Sequence, residues 1–165
     1  VSSRLVLDPA YEELLALRAA VLRPGRPPES ARFSGDDEPT TLHVGLEHAG
    51  RLVAVATASL RPPPEAARDV LADALDARGL AWRVRGVAVA SELQGQGLGA
   101  LLMRGLLELL AARDGPRGVF LHARAWVIGF YEQLGFQSVG DRFEVEGIGP
   151  HQVMVRRLEA LDAAR

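Results

Sequence analysis

The 165-residue chain has no cysteine, no lysine and no asparagine, and all 19 of its basic residues are arginine. Lysine and asparagine share A-rich codons, so a GC-rich genome accounts for their joint absence. Each absence still removes chemistry. Without lysine there is no P-loop lysine, no Schiff-base lysine for pyridoxal phosphate and no kinase-type strand lysine. Without cysteine there is no thiolate nucleophile, no disulfide and no thiolate-held zinc or iron–sulfur centre, and redox compartment cannot be read from cysteine usage. A charge surplus is lacking too: 19 basic against 21 acidic residues give −2, which offers no general attraction to nucleic acid or anionic lipid. The longest apolar stretch, Leu98–Ala112, is interrupted by Arg104 and Glu108 and is too short to cross a bilayer. The opening Val1-Ser2-Ser3-Arg4 has no signal-peptide layout. A cytoplasmic protein without nucleic-acid or membrane partners is expected.

The chain is long enough for one domain over 1–165 with a core that needs no staples. Arg4–Leu7 reads as a strand. Asp8 is placed to cap a following helix with Pro9 at its first position, and Tyr11, Leu14, Leu15, Val21 and Leu22 repeat at helical spacing. The segment through Pro39 reads as a loop with room for a helical turn. Thr41–Glu47 and Leu52–Leu60 form a hairpin pattern, and Glu65–Arg78 a helix closed by Gly79. A β-prone run, Ala81–Ala90, precedes the strong helix Leu98–Arg113. Val119–His122 reads as a brief buried strand and Trp126–Leu134 as a helix. Phe136–Val145 and Gln152–Leu158 are joined across Gly147-Ile148-Gly149-Pro150. The order β-α-β-β-(α)-β-α-β-α-β-β predicts a mixed α/β fold of α+β type.

The informative stretch runs from Val87-Ala88-Val89 through Gln94-Gly95-Gln96-Gly97-Leu98-Gly99-Ala100. A strand enters a glycine-rich turn that opens an apolar helix. A helix start carries unpaired N–H groups and partial positive charge, and alternate glycines let a ligand approach that backbone closely. One glycine would suffice for a turn, so the pattern points to an anion site, a pyrophosphate in particular. Gly95–Ala100 fits the dinucleotide pattern G-x-G-x-x-A by letters. However, Ser91–Gln94 separates it from its strand, no acidic residue ends the next strand, and the 65 residues after Ala100 are too few for the rest of that fold. Topology decides against it.

Gln94–Gly99 instead resembles the Q/R-x-x-G-x-G/A signature of the GCN5-related N-acetyltransferase (GNAT) superfamily. Val87-Ala88-Val89 is similar to its "V-A-V" strand, and Phe130-Tyr131-Glu132-Gln133-Leu134-Gly135-Phe136 to its "F-Y-x-x-L-G-F" segment at the expected distance. The resemblance covers nearly the whole chain. It implies a GNAT fold, a central mixed and largely antiparallel sheet splayed between the fourth and fifth strands and flanked by helices. It also implies an enzyme that transfers the acetyl group of acetyl-coenzyme A to a primary amine of a small-molecule acceptor by direct attack, without a metal; a homodimer is compatible with it. In that reading Gln94, Gly95, Gln96, Gly97, Leu98, Gly99 and Ala100 form the pyrophosphate turn, with the amides of Gln96, Gly97, Gly99 and Ala100 as donors. The Val87, Ala88 and Val89 backbone would line the pantetheine arm, and one of its N–H groups would polarise the thioester carbonyl. Tyr131 matches the family's proton donor to the departing thiolate, with Phe130 and Phe136 as core.

The base is not fixed by the pattern. His151, in a G-x-G-P-H-x-x-M ending (Gly147–Met154) that some family branches resemble, is one candidate, since histidine as a residue type suits a base or a substrate contact. Glu144 and Glu146 share one strand face, and water is the remaining candidate. One departure is clear: where many relatives have N-x-x-A ahead of the F-Y pair, this chain has Arg124 and Val127, or His122 in the register of an N-A-R variant. His43 and His48 fit no metal or catalytic spacing, and there is no H-E-x-x-H or G-x-S-x-G. Arg18, Arg23 and Arg85 would suit an acidic acceptor, although in a chain whose bases are all arginine they carry little weight. The opposing class is a non-catalytic acyl-CoA-binding or regulatory module on the same fold.

Overall fold

The chain is described here from a computed structural model over residues 2–159; residue 1 and residues 160–165, the ends of the expected 1–165 domain, lie outside the described residues. The elements are β1 (Ser3–Leu7), α1 (Tyr11–Leu22), β2 (Leu42–His48), β3 (Arg51–Arg61), α2 (Glu65–Val70), β4 (Ala81–Val89), α3 (Leu98–Ala111), β5 (Gly118–Arg124), α4 (Ile128–Gln133), β6 (Gln137–Val145) and β7 (Gly149–Arg157). Short 3-10 turns lie at Pro28–Ala31, Ala72–Ala74, Ser91–Leu93 and Ala125–Val127. The strands pair in the order β1-β2-β3-β4-β5-β7-β6. The β1–β2, β2–β3, β5–β7 and β6–β7 ladders are antiparallel. The β4–β5 ladder is parallel and short, with the pairs Trp82↔Val119 and Arg83↔Phe120. This is the mixed, largely antiparallel sheet that the GNAT resemblance implies.

The chain divides into two compact units, residues up to 59 with 84–106, and 60–83 with 107 onward. In the first, α1 lays Leu14 against Val55 of β3 and Ala88 of β4, while Leu15 and Ala19 pack on Ala31. Arg18 occupies the middle of this stripe, four residues after Leu14 and four before Leu22, and is 0% exposed. Its Nη1 donates to Asp36 Oδ2 (2.7 Å) and to the Ala31 carbonyl (2.9 Å), and its Nη2 donates to Thr57 Oγ1 (2.8 Å). The Tyr11 hydroxyl (2.5 Å) and the Phe33 N–H (3.0 Å) also donate to Asp36 Oδ2. The Arg18 and Arg85 guanidinium carbons lie 4.0 and 3.8 Å from the Phe33 ring centroid. Gly86 (φ +67°) completes the packing, since a Cβ there would stand 2.8 Å from both Arg18 Nε and the Phe33 ring. A side chain at Gly86 would push into the buried ion pair.

Two helix boundaries differ from expectation. Helix α1 starts at Tyr11 with Ala10 as its cap, not at Pro9. The Asp8 N–H is held by the His43 carbonyl (3.0 Å) and Asp8 has φ +48°, so it ends β1 rather than capping the helix. Helix α2 stops at Val70 instead of Arg78. The Asp76 carboxylate accepts the N–H groups of Arg78 (2.8 Å) and Leu80 (3.0 Å), an Asx-type loop that competes with helical hydrogen bonding.

In the second unit, Ala67 and Leu71 of α2, with Ala74, cover Ala81, Phe120, Val139, Val153 and Val155 on the sheet. Strand β7 begins at Gly149, three residues before the expected Gln152, so His151 belongs to the strand. The buried Gln152 amide donates to the Val139 (2.8 Å) and Gly140 (3.0 Å) carbonyls where the β6–β7 register shifts. That side chain satisfies backbone acceptors which the ladder leaves over.

Removing one partner of a buried ion pair strands the other charge, at a cost of about 3–5 kcal/mol. Arg18→Ala should lose stability of that order in denaturant unfolding; a loss below about 1 kcal/mol would contradict the packing described. Burial alone would raise the Asp36 carboxyl, but the hydrogen bonds from Arg18, Tyr11 and the Phe33 N–H outweigh it and hold the pKa below the ordinary value. The stability this supplies is present above the unfolded aspartate value of about 3.9 and is lost as pH falls through the lower folded value. Asp36→Asn should flatten the acid limb of the stability profile.

Candidate active site

Strand β4 alternates along its length: Ala88 is buried against α1, while Val87 and Val89 on the other side are half-buried. At its end the Ala90 N–H donates to the Val53 carbonyl (2.8 Å) and the Gln94 amide donates to the Val89 carbonyl (3.0 Å), which ties the turn to the strand. Gln94, Gly95, Gln96 and Gly97 are exposed; Leu98 is buried and anchors the helix. Gly95 (φ +80°) and Gly97 (φ +83°) both hold left-handed backbone, and a Cβ built on either meets nothing within 4 Å. Space over the turn is therefore open, and glycine is required by conformation. The Leu101 N–H donates to the Gly97 carbonyl (3.1 Å), so the N–H groups of Leu98, Gly99 and Ala100 precede the helical ladder. Beside the turn the exposed Glu92 pairs with Arg51. Neutral amides at the positive end of a fourteen-residue helix suit a pyrophosphate.

Tyr131 and His151 lie in the second unit. Tyr131, on α4, is 8% exposed, with its ring edge-on to Phe130 (5.0 Å) and Phe136 (5.8 Å). Burial raises its pKa well above the ordinary phenol value, against a smaller opposing effect of Arg124; the hydroxyl keeps its proton at neutral pH. Phe136 is core, as expected, whereas Phe130 is only half-buried. His151 is buried, and its Nδ1–H donates to the Gly149 carbonyl (2.9 Å). A carbonyl only accepts, so in the neutral ring the Nε2 carries the lone pair. Its ring lies 5.8 Å from Phe143, which in turn stands 5.5 Å from His122. Glu144 and Glu146 are exposed. Arg124 Cζ lies 5.8 Å from the Trp126 ring, which is 63% exposed.

His43 and His48 make local hydrogen bonds. His43 Nε2–H donates to the Asp36 carbonyl (2.8 Å) and Nδ1 accepts the Thr57 hydroxyl (2.8 Å); His48 Nδ1 meets Ser3 Oγ at 2.7 Å. Arg18 does not serve an acceptor in the way its position suggested, since it is buried and consumed by Asp36; Arg85 is half-buried and stacks on Phe33. Sequence reasoning passed over the Arg18–Asp36 pair. Its signal was a charge in the middle of an apolar helical stripe. Among the described residues no group of three or more metal-binding side chains occurs.

A V-A-V strand leading into an open glycine turn at a helix start, on a largely antiparallel sheet with one parallel ladder, defines an acyltransferase of the GNAT type. Residues 8–136 match the profile of the Acetyltransferase (GNAT) family, and the chain belongs to that family. It is 30% identical over 149 residues to the uncharacterized N-acetyltransferase YitI of Bacillus subtilis (strain 168), covering 90% of this chain and 93% of that one. The fold is shared with the crystal structure of Escherichia coli ElaA (TM-score 0.65, 23% identity, 94% and 99% of the two chains). It is also shared with an aminoglycoside 6'-N-acetyltransferase complexed with coenzyme A (TM-score 0.65, 16% identity, 96% and 99%).

The two histidine tautomers are opposite and can be read by nitrogen NMR. Neutral His151 should protonate Nδ1 and neutral His43 should protonate Nε2; an Nε2–H form of His151 would contradict the Gly149 contact.

Proposed function

We propose that the protein is an acetyl-coenzyme A-dependent N-acetyltransferase in which one domain, 1–165, passes the acetyl group to a primary amine of a small molecule by direct attack. The observation that carries this is the glycine turn, left-handed at Gly95 and Gly97 and open where it enters the first turn of α3. Family membership supports the reaction class. The Gln96, Gly97, Gly99 and Ala100 amides hold the pyrophosphate within Gln94–Ala100. The main chain of Val87, Ala88 and Val89 takes the pantetheine arm as an added strand, and one of its N–H groups steadies the charge that develops on the thioester oxygen.

The amine nitrogen bonds to the acetyl carbon as the carbon–sulfur bond breaks. Tyr131, kept protonated by burial, offers its hydroxyl proton to the departing sulfur. The proton shed by the amine goes to His151 Nε2, the lone-pair nitrogen left by the Gly149 hydrogen bond. Two of the competing bases are exposed carboxylates, Glu144 and Glu146, without such an orienting contact among the hydrogen bonds of the described residues.

Thiol release from acetyl-coenzyme A over a panel of amines tests the reading. Turnover on at least one amine is expected; tight cofactor binding with no thiol release on any amine would favour the non-catalytic module instead. Tyr131→Phe should lower kcat by about 100-fold or more while coenzyme A affinity stays within about threefold. Gly97→Val forces a branched side chain into left-handed backbone and into the ligand's path; affinity for coenzyme A should fall more than about tenfold. Normal affinity in that variant would sink the pyrophosphate assignment.

A further inference from the structure

The second unit carries a sheet face that the glycine turn does not explain. On β5, Phe120, His122 and Arg124 alternate with Leu121 and Ala123 and so share a face. Their register partners on β7 are Val155, Val153 and His151; Phe143 of β6 lies opposite His151, and Arg83 of β4 lies opposite Phe120. Ring contacts confirm the common side: Phe120 to His122 at 6.1 Å, His122 to Phe143 at 5.5 Å and Phe143 to His151 at 5.8 Å. At the Ala81–Phe120–Val155 end, α2 covers this face with apolar side chains. Arg83 stands in the Phe120 row, and beyond that row β5 and β7 bring His122, Arg124 and His151 to this face, all basic residue types; Asp141 and Arg142 of β6 are exposed within the register shift between Val139 and Phe143. Strands β4, β5 and β7 contain no aspartate or glutamate at all, and Glu144 of β6, next to Phe143 in sequence, points to the opposite side.

Arg83 stands out within this set. It is half-buried, and its Nε is buried without a hydrogen-bond partner. Burial lowers its pKa, and the neighbouring Arg61 lowers it further; among the described residues no carboxylate acts on it in the other direction. A desolvated guanidinium beside a second cation is costly until an anion reaches it, and its planar fork matches carboxylate and phosphate oxygens. Arg18 shows the contrast in the same chain, because its buried charge already has Asp36.

We propose that the acceptor amine carries an anionic group, a carboxylate or a phosphate, which Arg83 binds on the sheet face shared with His122, Arg124 and His151. This rests on the acetyltransferase reading above. Arg83 then determines specificity for the anionic group of the acceptor.

Matched amines separate the possibilities: β-alanine against propylamine for a carboxylate, and phosphoethanolamine against ethanolamine for a phosphate. The acidic member of at least one pair should have the higher kcat/KM by about tenfold or more, and which pair responds identifies the group. Arg83→Gln should cut kcat/KM for that acidic amine at least about tenfold, chiefly through KM, and for its neutral partner no more than about threefold. Arg83→Lys should recover part of the loss. Neutral or polycationic amines turning over while both acidic ones fail would overturn the anion site and leave the acetyltransferase reading standing. If no amine turns over, that reading fails, and the anion site is judged by binding alone. With coenzyme A at saturation to occupy the glycine turn, inorganic phosphate and succinate are titrated calorimetrically into wild type and Arg83→Gln. Binding by the wild type that is lost in the variant supports the site; no binding, or equal binding by both, overturns it. If Arg83→Gln fails to fold, the matched-amine preference and anion binding of the wild type decide alone.

Discussion

Everything in the first unit is arranged around the Arg18–Asp36 ion pair. A guanidinium with no solvent exposure must have its charge and its donors answered locally. Asp36, the Ala31 carbonyl and Thr57 answer its charge and its two Nη groups, while Nε is buried without a hydrogen-bond partner among the described residues, and in doing so they join α1, the loop after it and β3 at one point. The Thr57 hydroxyl passes the arrangement on to His43, whose other nitrogen returns to the Asp36 carbonyl. Gly86 lies directly under Arg18 Nε and Phe33, so the ion pair also dictates where β4 takes its left-handed step. Val87, Ala88 and Val89 are the next three residues. The strand that is proposed to take the pantetheine arm is thus positioned by a charge pair that touches no ligand.

From that strand onward the proposed chemistry draws mainly on backbone. The turn supplies amides and left-handed glycines, and the helix supplies its positive end. Only two side chains are asked to move protons, one kept protonated by burial and one held in a defined tautomer by a carbonyl. A chain without lysine or cysteine loses nothing by this division of labour. The acceptor side differs in kind. There the proposed determinants are side chains, Arg83 foremost, on the sheet face that β4, β5 and β7 share.

Legibility in the sequence follows the same division. Backbone devices leave strong local signals, so the strand, the Gly95–Gly99 turn and α3 could be placed to within a residue or two. The β6–β7 hairpin was legible as well, because Gly147 and Gly149 mark the turn between its strands. What escaped depended on distant partners. Asp8 looks like a cap until the His43 carbonyl claims its N–H, and Glu65–Arg78 looks like one helix until Asp76 organises its own loop. Arg18 reads as a surface charge unless its place among Tyr11, Leu14 and Leu22 is weighed. Arg83 gave no warning of its own, since its character comes from burial and from Arg61 on another strand.

Direct transfer, without an acyl-enzyme, is the claim on which the account turns, and intact-mass measurement addresses it. The protein is incubated with acetyl-coenzyme A alone and then with an amine that it uses, and both the protein and the amine are weighed. The account predicts that the protein mass stays unchanged throughout while the amine gains the acetyl group. A protein that takes up acetyl in the absence of amine and gives it up when amine is added would contradict it.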